Sequence, residues 1–459
     1  MKETSASTNF WPAGRAEPDT GAHATYTLRS VSWRTRWKIR EFVHNSIWII
    51  PAISVVLAII LGILVPEIDS RTSDRIGIAY GAGAAQGMLG AMAGGMITFT
   101  GFVFSILLLA VQFGSSQFSP RMLRRFLRDP TTKISLGMFM ATFIYALFVL
   151  RAIQPADNDT FVPDFSVSLA ILLLLLSMIM FLRLISRTTQ GLRVAAVLSD
   201  LGHDGTKVID AAYPNDFAEA DPEVGESAFV SSDDPTTVRF DQEPGILQSV
   251  DFDGVVALAV RAGGTVELIP PIGDLLAPGD PLFRVHGAQG FDEAILQKSV
   301  AVGDERTIKD DPAFVFRLLA DISSRALSPG VNDPTTTSQA LDQIELLLRI
   351  LVRRDLTRGE IRDGQGVLRF AFPSPSWEDF LSIALDETRI YGEGSIQVAR
   401  RLRALLEDLV SLAPASRLPA VEQQIAMLER SINRSFSEDT ERLVAGARDR
   451  QGIGSPPSR

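Results

Sequence analysis

The chain has 459 residues, a formal net charge of −10 and no cysteine, which excludes disulfides, thiol catalysis and thiolate metal sites. Acidic residues outnumber basic ones in the part of the chain after residue 186, which argues against a nucleic-acid-binding surface there. The four histidines are too scattered for a histidine-based metal site, so no cofactor is expected, although a site made of carboxylates alone stays open.

Four apolar segments in residues 47–186 are long enough to cross a bilayer as helices. A spanning helix takes about 17–25 mainly apolar residues, and four such runs in one region favour a transmembrane domain over the buried helices of a large soluble protein. Residues 1–46 precede them, and no small-residue cleavage site follows the first run, so we interpret it as a retained span. We place the spans near residues 47–65, 87–113, 134–150 and 165–182.

Positive charge is concentrated in alternate loops. Basic residues cluster before the first span, between residues 121 and 133, and just after the fourth span, whereas the loops around residues 67–75 and 151–164 are poor in them. Because cytoplasmic loops carry an excess of Lys and Arg, we predict a multi-pass protein of the cytoplasmic (inner) membrane, with both termini in the cytoplasm.

The second span carries small and polar residues at helical spacing. A spacing of four residues places small side chains on one face of a helix, where another helix can approach closely in lipid. The face can pack against another span of the same chain, pack around the axis of a homo-oligomer, or line a conduit. The candidates for helix packing or pore lining are Gly83, Gly87, Ala91, Gly95, Thr98, Ser105 and Gln112.

No ionisable residue is evident inside any of the four predicted spans. Transporters that couple to protons normally use ionisable side chains at depth in the membrane. The composition of the spans therefore argues against a proton-coupled transporter, but it does not argue against a channel.

A basic segment follows the second span. Ser119 can cap a short helix with Pro120 at its first position. One interpretation is an interfacial helix that contacts the anionic headgroups of the lipid bilayer. The other is an elbow that couples the second span to the soluble region, with Gln117, Ser119, Pro120 and Arg121 as its candidate residues.

The rest of the chain predicts an α+β cytoplasmic domain, so the fold class is an α-helical membrane protein with four transmembrane helices followed by that domain. A juxtamembrane helix, loosened by Gly202 and Gly205, and an acidic linker occupy residues 187–245. We predict a small β-barrel-like unit at 246–287, a helical subdomain at 288–447 and a disordered tail at 448–459.

The predicted β unit has two alternating runs that flank Pro278-Gly279, a dipeptide suited to a type II turn. It resembles the small barrels of biotinyl and lipoyl carriers, and also the regulatory ligand-binding modules of cation channels. The carriers present a modified lysine at a hairpin turn, and this hairpin has none, which argues against the carrier role. The resemblance to the channel modules implies a small-molecule or ion regulator as a partner.

A predicted helix–turn–helix corner follows in the helical subdomain. Asp333 is a suitable N-cap for a helix with Pro334 at its first position. The amides at a helix start can hold an anion, which makes Arg325, Asn332 and Asp333 a candidate anion or ligand loop. The alternative is that these polar residues only cap the helices.

Three motifs resemble a bacterial family of predicted membrane proteins, domain of unknown function 2254. They are Gly101-Phe-Val-Phe-Ser105, Ser116-Gln-Phe-Ser-Pro-Arg121 and the stretch from Asp321 to Thr335. The resemblance covers about residues 35–435 and implies four spans and a cytoplasmic domain, with no established activity. This sequence departs from the family pattern at Phe181-Leu-Arg-Leu184, near the end of the fourth span, where we expect a histidine from the resemblance.

These patterns lead to the hypothesis of an oligomeric ion channel or channel-like conduit that the cytoplasmic domain regulates. The alternative is a membrane-anchored ligand-binding or scaffold protein without transport activity. No nucleophile–base pair, phosphate-binding loop or metal cluster stands out in the sequence, so enzymatic activity is not expected.

Overall fold

The computed structural model describes residues 26–71, 79–117, 129–153, 161–191, 193–217, 235–287, 290–356 and 359–453. The chain divides into two units. The membrane unit is Arg40–Ala196, and the α+β unit combines Met1–Ile39 with Val197–Arg459.

The four apolar helices expected from the sequence are present. A first helix, α1 (Tyr26–Asn45), precedes them, and the apolar helices are α2 (Ile49–Arg71), α3 (Ala82–Gln117), α4 (Pro130–Ala152) and α5 (Asp164–Gly191). Each is long and apolar enough to cross a membrane. Helix α2 runs on through Pro66, beyond the predicted end of the first span, and neighbouring spans commonly allow this in membrane helices.

Helix α4 is the centre of the membrane unit and packs against α2, α3 and α5. Small residues allow the close approach: a Cβ added at Gly62 of α2 would lie 2.6 Å from Cβ of Phe148. The buried hydroxyls of Thr142 and Ser177 lie 2.8 Å apart, which joins α4 to α5. Small side chains and buried hydroxyl pairs are the usual means of helix association in lipid.

Two carboxylates fix the start of α5. Asp69 near the end of α2 accepts a hydrogen bond of 3.1 Å from the amide of Phe165. Asp164 accepts one of 2.9 Å from the amide of Tyr80, which precedes α3. The carboxylate of Asp69 suits this position because the first amides of a helix have no partner within it, whereas that of Asp164 ties the start of α5 to the segment before α3.

The β unit predicted at 246–287 is present as strands, but the prediction that it closes into a barrel is wrong. Within the described residues the strands form two open sheets, a five-stranded sheet in the order β1-β5-β3-β8-β7 and a three-stranded sheet in the order β4-β2-β6. The strands are β1 (Thr236–Arg239), β2 (Gly245–Val250), β3 (Thr265–Leu268), β4 (Leu275–Leu276), β5 (Pro281–His286), β6 (Val300–Gly303), β7 (Glu360–Arg362) and β8 (Leu368–Ala371).

A strand that is distant in sequence joins the five-stranded sheet beside β3. Strand β8 joins β3 in parallel, with Val266 opposite Phe370, and all other strand pairs are antiparallel. Phe240, Phe283 and Phe370 are buried in the core of these sheets, together with residues of the helix α7 (Phe252–Ala262).

Helices fill most of the remaining α+β unit. Helix α6 (Val194–Ala212) follows α5 as a separate helix, and a Cβ at Gly205 would lie 2.8 Å from Cδ1 of Leu347. The glycines predicted to loosen this segment therefore allow close packing instead. The other helices are α8 (Glu293–Lys298), α9 (Pro312–Ala326), α10 (Pro334–Leu351), α11 (Trp377–Tyr391), α12 (Ile396–Val410), α13 (Leu418–Ser435) and α14 (Asp439–Ala445).

The segment after α14 contacts the helices up to the end of the described residues. Arg448 pairs with Asp408 of α12, and the side chain of Gln397 donates to the carbonyl of Gly452. The first part of the predicted tail is therefore held in place, and residues 454–459 lie outside the described residues.

Candidate functional site

Helix α3 has one packed face and one face that no other described residue covers. The packed face contacts α4 and α5 through residues at helical spacing, among them Leu89, Met96 and Val103. Phe99 sits between these helices, with its ring 5.3 Å from that of Phe139 and 4.6 Å from that of Phe181, both edge to face. These contacts fix the rotation of α3 about its axis.

The other face carries every candidate that the sequence placed on this helix. A Cβ added at any glycine of this face would meet no atom of another described element within 4 Å, so these small residues do not serve packing between the spans as described. The exposed residues of this row are Gly83, Gly87, Ala91, Gly95, Thr98, Ser105 and Gln112, joined by Gly90, Gly94 and Gly101.

The hydroxyl groups on α3 are bonded to their own helix. Thr98 donates to the carbonyl of Gly94 at 3.1 Å, and Ser105 donates to that of Gly101 at 3.0 Å. Such bonds satisfy the donor and leave oxygen lone pairs free to accept a hydrogen bond or to face a cation. Gln112, whose amide needs polar partners, is exposed near the carboxyl end of the same row.

The exposed faces of α2 and α5 differ from that of α3. They present large aliphatic side chains, as lipid-facing helices do. These include Ile53, Leu57 and Ile60 on α2, and Leu172 and Leu175 on α5. Helix α3 also exposes large apolar residues, but none of them lies within its glycine-rich part from Gly83 to Gly95; they are Ile97, Phe102, Phe104, Leu108 and Leu109. The contrast marks the row of small and polar residues as a surface of another kind.

An apolar cavity of about 500 Å³ lies beside this row, among α2, α3 and α4. Its wall includes Trp48, Thr100, Gly101, Phe104 and Met140. Gly101 belongs both to this wall and to the exposed row of α3.

The proposed coupling elbow cannot be placed. Ser119, Pro120 and Arg121 lie outside the described residues, and Gln117 is the last residue of α3, with its side chain undescribed. The elbow and the interfacial helix both remain sequence predictions.

The candidate ligand loop is built as a helix cap. The carboxylate of Asp333 accepts hydrogen bonds from the amides of Thr335 and Thr336, at 3.1 and 3.0 Å. These are the donors that an anion would need, so the capping interpretation fits the geometry and the anion interpretation loses its donors. Asn332 is exposed with φ of 46°, a left-handed conformation that asparagine tolerates, and Arg325 is half-buried and has partners of its own.

Sequence reasoning missed a buried polar cluster in the α+β unit. Both carboxylate oxygens of Asp310 and the hydroxyls of Ser249 and Thr307 are buried and have no hydrogen-bond partner among the described residues. Nothing in the local pattern marks Asp310, because its burial depends on β2, which is distant in sequence.

Comparisons with known proteins agree with a membrane protein. A family model described as a predicted membrane protein (DUF2254) matches residues 44–408. Uncharacterized proteins of Mycobacterium bovis and Mycobacterium tuberculosis are 29% identical over 461 residues, covering 94% of this chain and 86% of each relative. No solved structure matches the chain significantly.

Proposed function

The chain belongs to the DUF2254 family of predicted membrane proteins, and from that premise we propose that it assembles as an oligomeric ion conduit in which α3 lines or surrounds the path. The observation that carries the proposal is the exposed row of small and polar residues on α3, from Gly83 to Gln112.

A lipid-facing role fits this row poorly. Glycines offer acyl chains little surface to contact, whereas a second helix can approach them closely and gain dispersion contacts. The amide of Gln112 needs a polar partner, which hydrocarbon does not supply. A neighbouring subunit meets both requirements, and a column of water meets that of the Gln112 amide.

The two halves of the row suit different tasks. The glycine-rich half, Gly83–Gly95, allows the α3 helices of different subunits to approach each other. The following half offers hydroxyl oxygens at Thr98 and Ser105, then the amide of Gln112, and such groups can replace part of the hydration of an ion. Close packing in one half and polar lining in the other together describe a conduit.

Orientation and regulation belong to the same proposal. The distribution of basic residues supports the cytoplasmic membrane, with both termini inside. The α+β unit would then lie in the cytoplasm, where it could bind a small-molecule or ion regulator, and basic residues near the spans would contact anionic lipid headgroups.

The alternative function is a membrane anchor for a ligand-binding or scaffold domain. One observation favours it: the hydroxyls of Thr98 and Ser105 already donate to backbone carbonyls, so facing lipid costs them little. An anchor needs no oligomer and no path, so the two functions make opposite predictions for the exposed face of α3.

The test replaces Gly87, Ala91 and Gly95 together by leucine and measures ion flux into proteoliposomes, together with the oligomeric state in detergent. The substitutions should not disturb the subunit, because the glycine sites are open and leucine favours a helix over glycine by up to about 1 kcal/mol. We expect wild-type flux to be lost or strongly reduced in the variant.

The matched control is Ala52→Leu, which adds the same side chain to an exposed position on α2. It should keep wild-type flux and assembly. A wild-type protein that is monomeric and conducts no ions under voltage, membrane tension or candidate ligands would overturn the conduit and favour the anchor.

A further inference from the structure

An apolar cleft lies between α2 and α3 in the membrane unit. Both helices pack against α4, but within the described residues they make little contact with each other, so α4 forms the floor of the cleft. The resulting cavity of about 500 Å³ has large side chains in its wall, among them Val55, Phe104 and Ile144. This volume is typical of sites that bind one organic ligand, which cover about 300–1,000 Å³.

The wall of the cleft suits hydrocarbon better than water. The hydroxyl of Thr100 already donates to the carbonyl of Met96 at 2.7 Å. The other described side chains of the wall are apolar apart from the indole N–H of Trp48. A buried water needs about two to four polar partners, which this wall does not supply. The ligand that fits the cleft is therefore a hydrocarbon chain.

The cleft is open to the surroundings of the helices. Trp48, Ile97 and Phe104 belong to its wall and are 64%, 54% and 43% exposed. Trp48 directly precedes α2, at the cytoplasmic end of the first span in the proposed orientation, and tryptophan is favoured at the level of the lipid headgroups. A chain of an inner-leaflet lipid can therefore enter the cleft beside Trp48.

Positive charge lies shortly before Trp48 along the chain. Lys38 and Arg40 are exposed on α1, which ends at Asn45. Phe42 is exposed on the same helix, and basic residues together with exposed apolar ones are typical of a helix at a membrane surface. Cations in this position attract the anionic headgroups of the cytoplasmic leaflet.

We propose that the cleft binds an acyl chain of an anionic phospholipid of the inner leaflet, with the headgroup near Arg40. A helix of a second subunit suits the cleft less well. Helices associate in lipid through small residues, whereas the wall consists mainly of large ones. An acyl chain can follow such a surface, and the flexible side chain of Met140 in the wall can adapt to it.

The lipid would also act on ion flux, an extension that rests on the proposed function. Gly101 belongs to the wall of the cleft and to the exposed row of α3. A bound acyl chain therefore lies against the helix that is proposed to line the path, and it keeps α2 apart from α3. The flux of the wild type should depend on the fraction of anionic lipid in the bilayer.

The experiment measures the lipid that the full-length protein retains in mild detergent, by native mass spectrometry after addition of dioleoyl phosphatidylglycerol. We expect the wild type to retain one lipid per chain. Val55→Phe fills the cleft from α2 and should lower retention about tenfold, which corresponds to about 1.4 kcal/mol of binding free energy. The matched control is Val56→Phe, at the next position of α2, which is 56% exposed and lies outside the wall. It should retain as much lipid as the wild type.

A second pair of variants tests the headgroup. The wild type should retain dioleoyl phosphatidylglycerol in preference to dioleoyl phosphatidylcholine, which has the same chains and no net charge. Arg40→Gln should lose this preference. Arg71→Gln, which removes an exposed arginine at the other end of α2, should keep it.

Three results would overturn the lipid site. The first is a wild type that retains no phosphatidylglycerol, and the second is equal retention in Val55→Phe and Val56→Phe. The third is a change of oligomeric mass in Val55→Phe with lipid retention unchanged, which would assign the cleft to a second copy of the chain. Should Val55→Phe fail to fold, Ile144→Phe, which fills the cleft from α4, decides in its place.

Lipid retention is measured without transport. A protein that retains the lipid but conducts no ions keeps the lipid site and refutes the conduit. A protein that conducts ions but retains no lipid refutes the lipid site and leaves the conduit intact. Flux that is the same at every fraction of phosphatidylglycerol, in a protein that retains the lipid, refutes the regulation alone.

Discussion

Arg401 and Glu345 form an ion pair of 2.6 Å between α12 and α10, with side-chain exposures of only 3% and 8%. Glu345 also pairs with Arg349 of its own helix, and Arg349 reaches Asp408 at 2.7 Å. Arg448, after the last helix, pairs with Asp408 from the other side. A continuous chain of ion pairs, buried at Arg401 and Glu345 and exposed at Arg448, therefore ties two helices and the carboxy-terminal segment together.

Arg401→Met should destabilise the α+β unit strongly. It leaves the buried carboxylate of Glu345 with Arg349 as its remaining partner, and losing a hydrogen bond to a charged group costs about 1.5–3 kcal/mol. Hydrogen exchange of α10 and α12 in the full-length protein measures the effect. The control is Arg434→Met, whose pair with Glu393 has exposures of 64% and 37%, and which should change stability by less than about 1 kcal/mol. Similar losses of stability in both variants would show that burial does not determine how much an ion pair contributes.

Arg417→Lys should also destabilise the protein, although it keeps the charge. Arg417 donates to the carbonyls of Leu351, Val352 and Arg354 at the end of α10, and its guanidinium lies 4.4 Å from the ring centre of Phe217. A lysine ammonium cannot match this planar fork, so we expect a loss of about 1–3 kcal/mol. Faster amide exchange around the carboxyl end of α10 would report it. Arg353→Lys, at an exposed neighbouring position, is the control and should have no measurable effect.

Two glycine-to-alanine substitutions should have opposite effects. At Gly205 the new Cβ would lie 2.8 Å from Leu347 and 2.9 Å from Val315, and overpacking of this kind costs about 1–3 kcal/mol. At Gly87 the Cβ meets nothing, so alanine gains up to about 1 kcal/mol of helix propensity within the subunit. In thermal unfolding, Gly205→Ala should have a lower unfolding temperature than the wild type, and Gly87→Ala a higher one. A destabilised monomer of Gly87→Ala would mean that α3 packs differently from the arrangement described.

Ser105→Ala should alter conduction without altering assembly. The serine hydroxyl is exposed on the open face of α3 and donates only to its own helix. Removing one oxygen worth about 1 kcal/mol to a passing ion should lower flux about fivefold. Ion flux and oligomer mass, measured on the same preparation, separate the two properties. Thr100→Val, which removes a half-buried hydroxyl bonded to Met96 at 2.7 Å, should leave flux unchanged if the open face is the path.

Some features follow from local sequence alone. The four apolar helices are set by run length, because backbone groups in lipid can find partners only within a helix, and only runs of that length satisfy them across the bilayer. The cap at Asp333 is local in the same sense, since its carboxylate bonds to amides two and three residues further on. The shared face of the small residues on α3 also follows from helical spacing.

Tertiary structure decided everything that depends on distant partners. Spacing placed Gly87 and Gly95 on one face, but only the packing of Phe99 against α4 and α5 shows that this face is the open one. The pairing of β3 with β8 joins segments that are distant in sequence, and the approach of Leu347 makes Gly205 a packing contact instead of a weak point in its helix. Asp310 is buried only because segments distant in sequence, among them the strand of Ser249, fold against it. Side-chain periodicity and capping act over a few residues and can be predicted from local sequence. Burial depends on which segments the folded chain brings together. The contribution of a charged side chain or a glycine to stability follows from that burial.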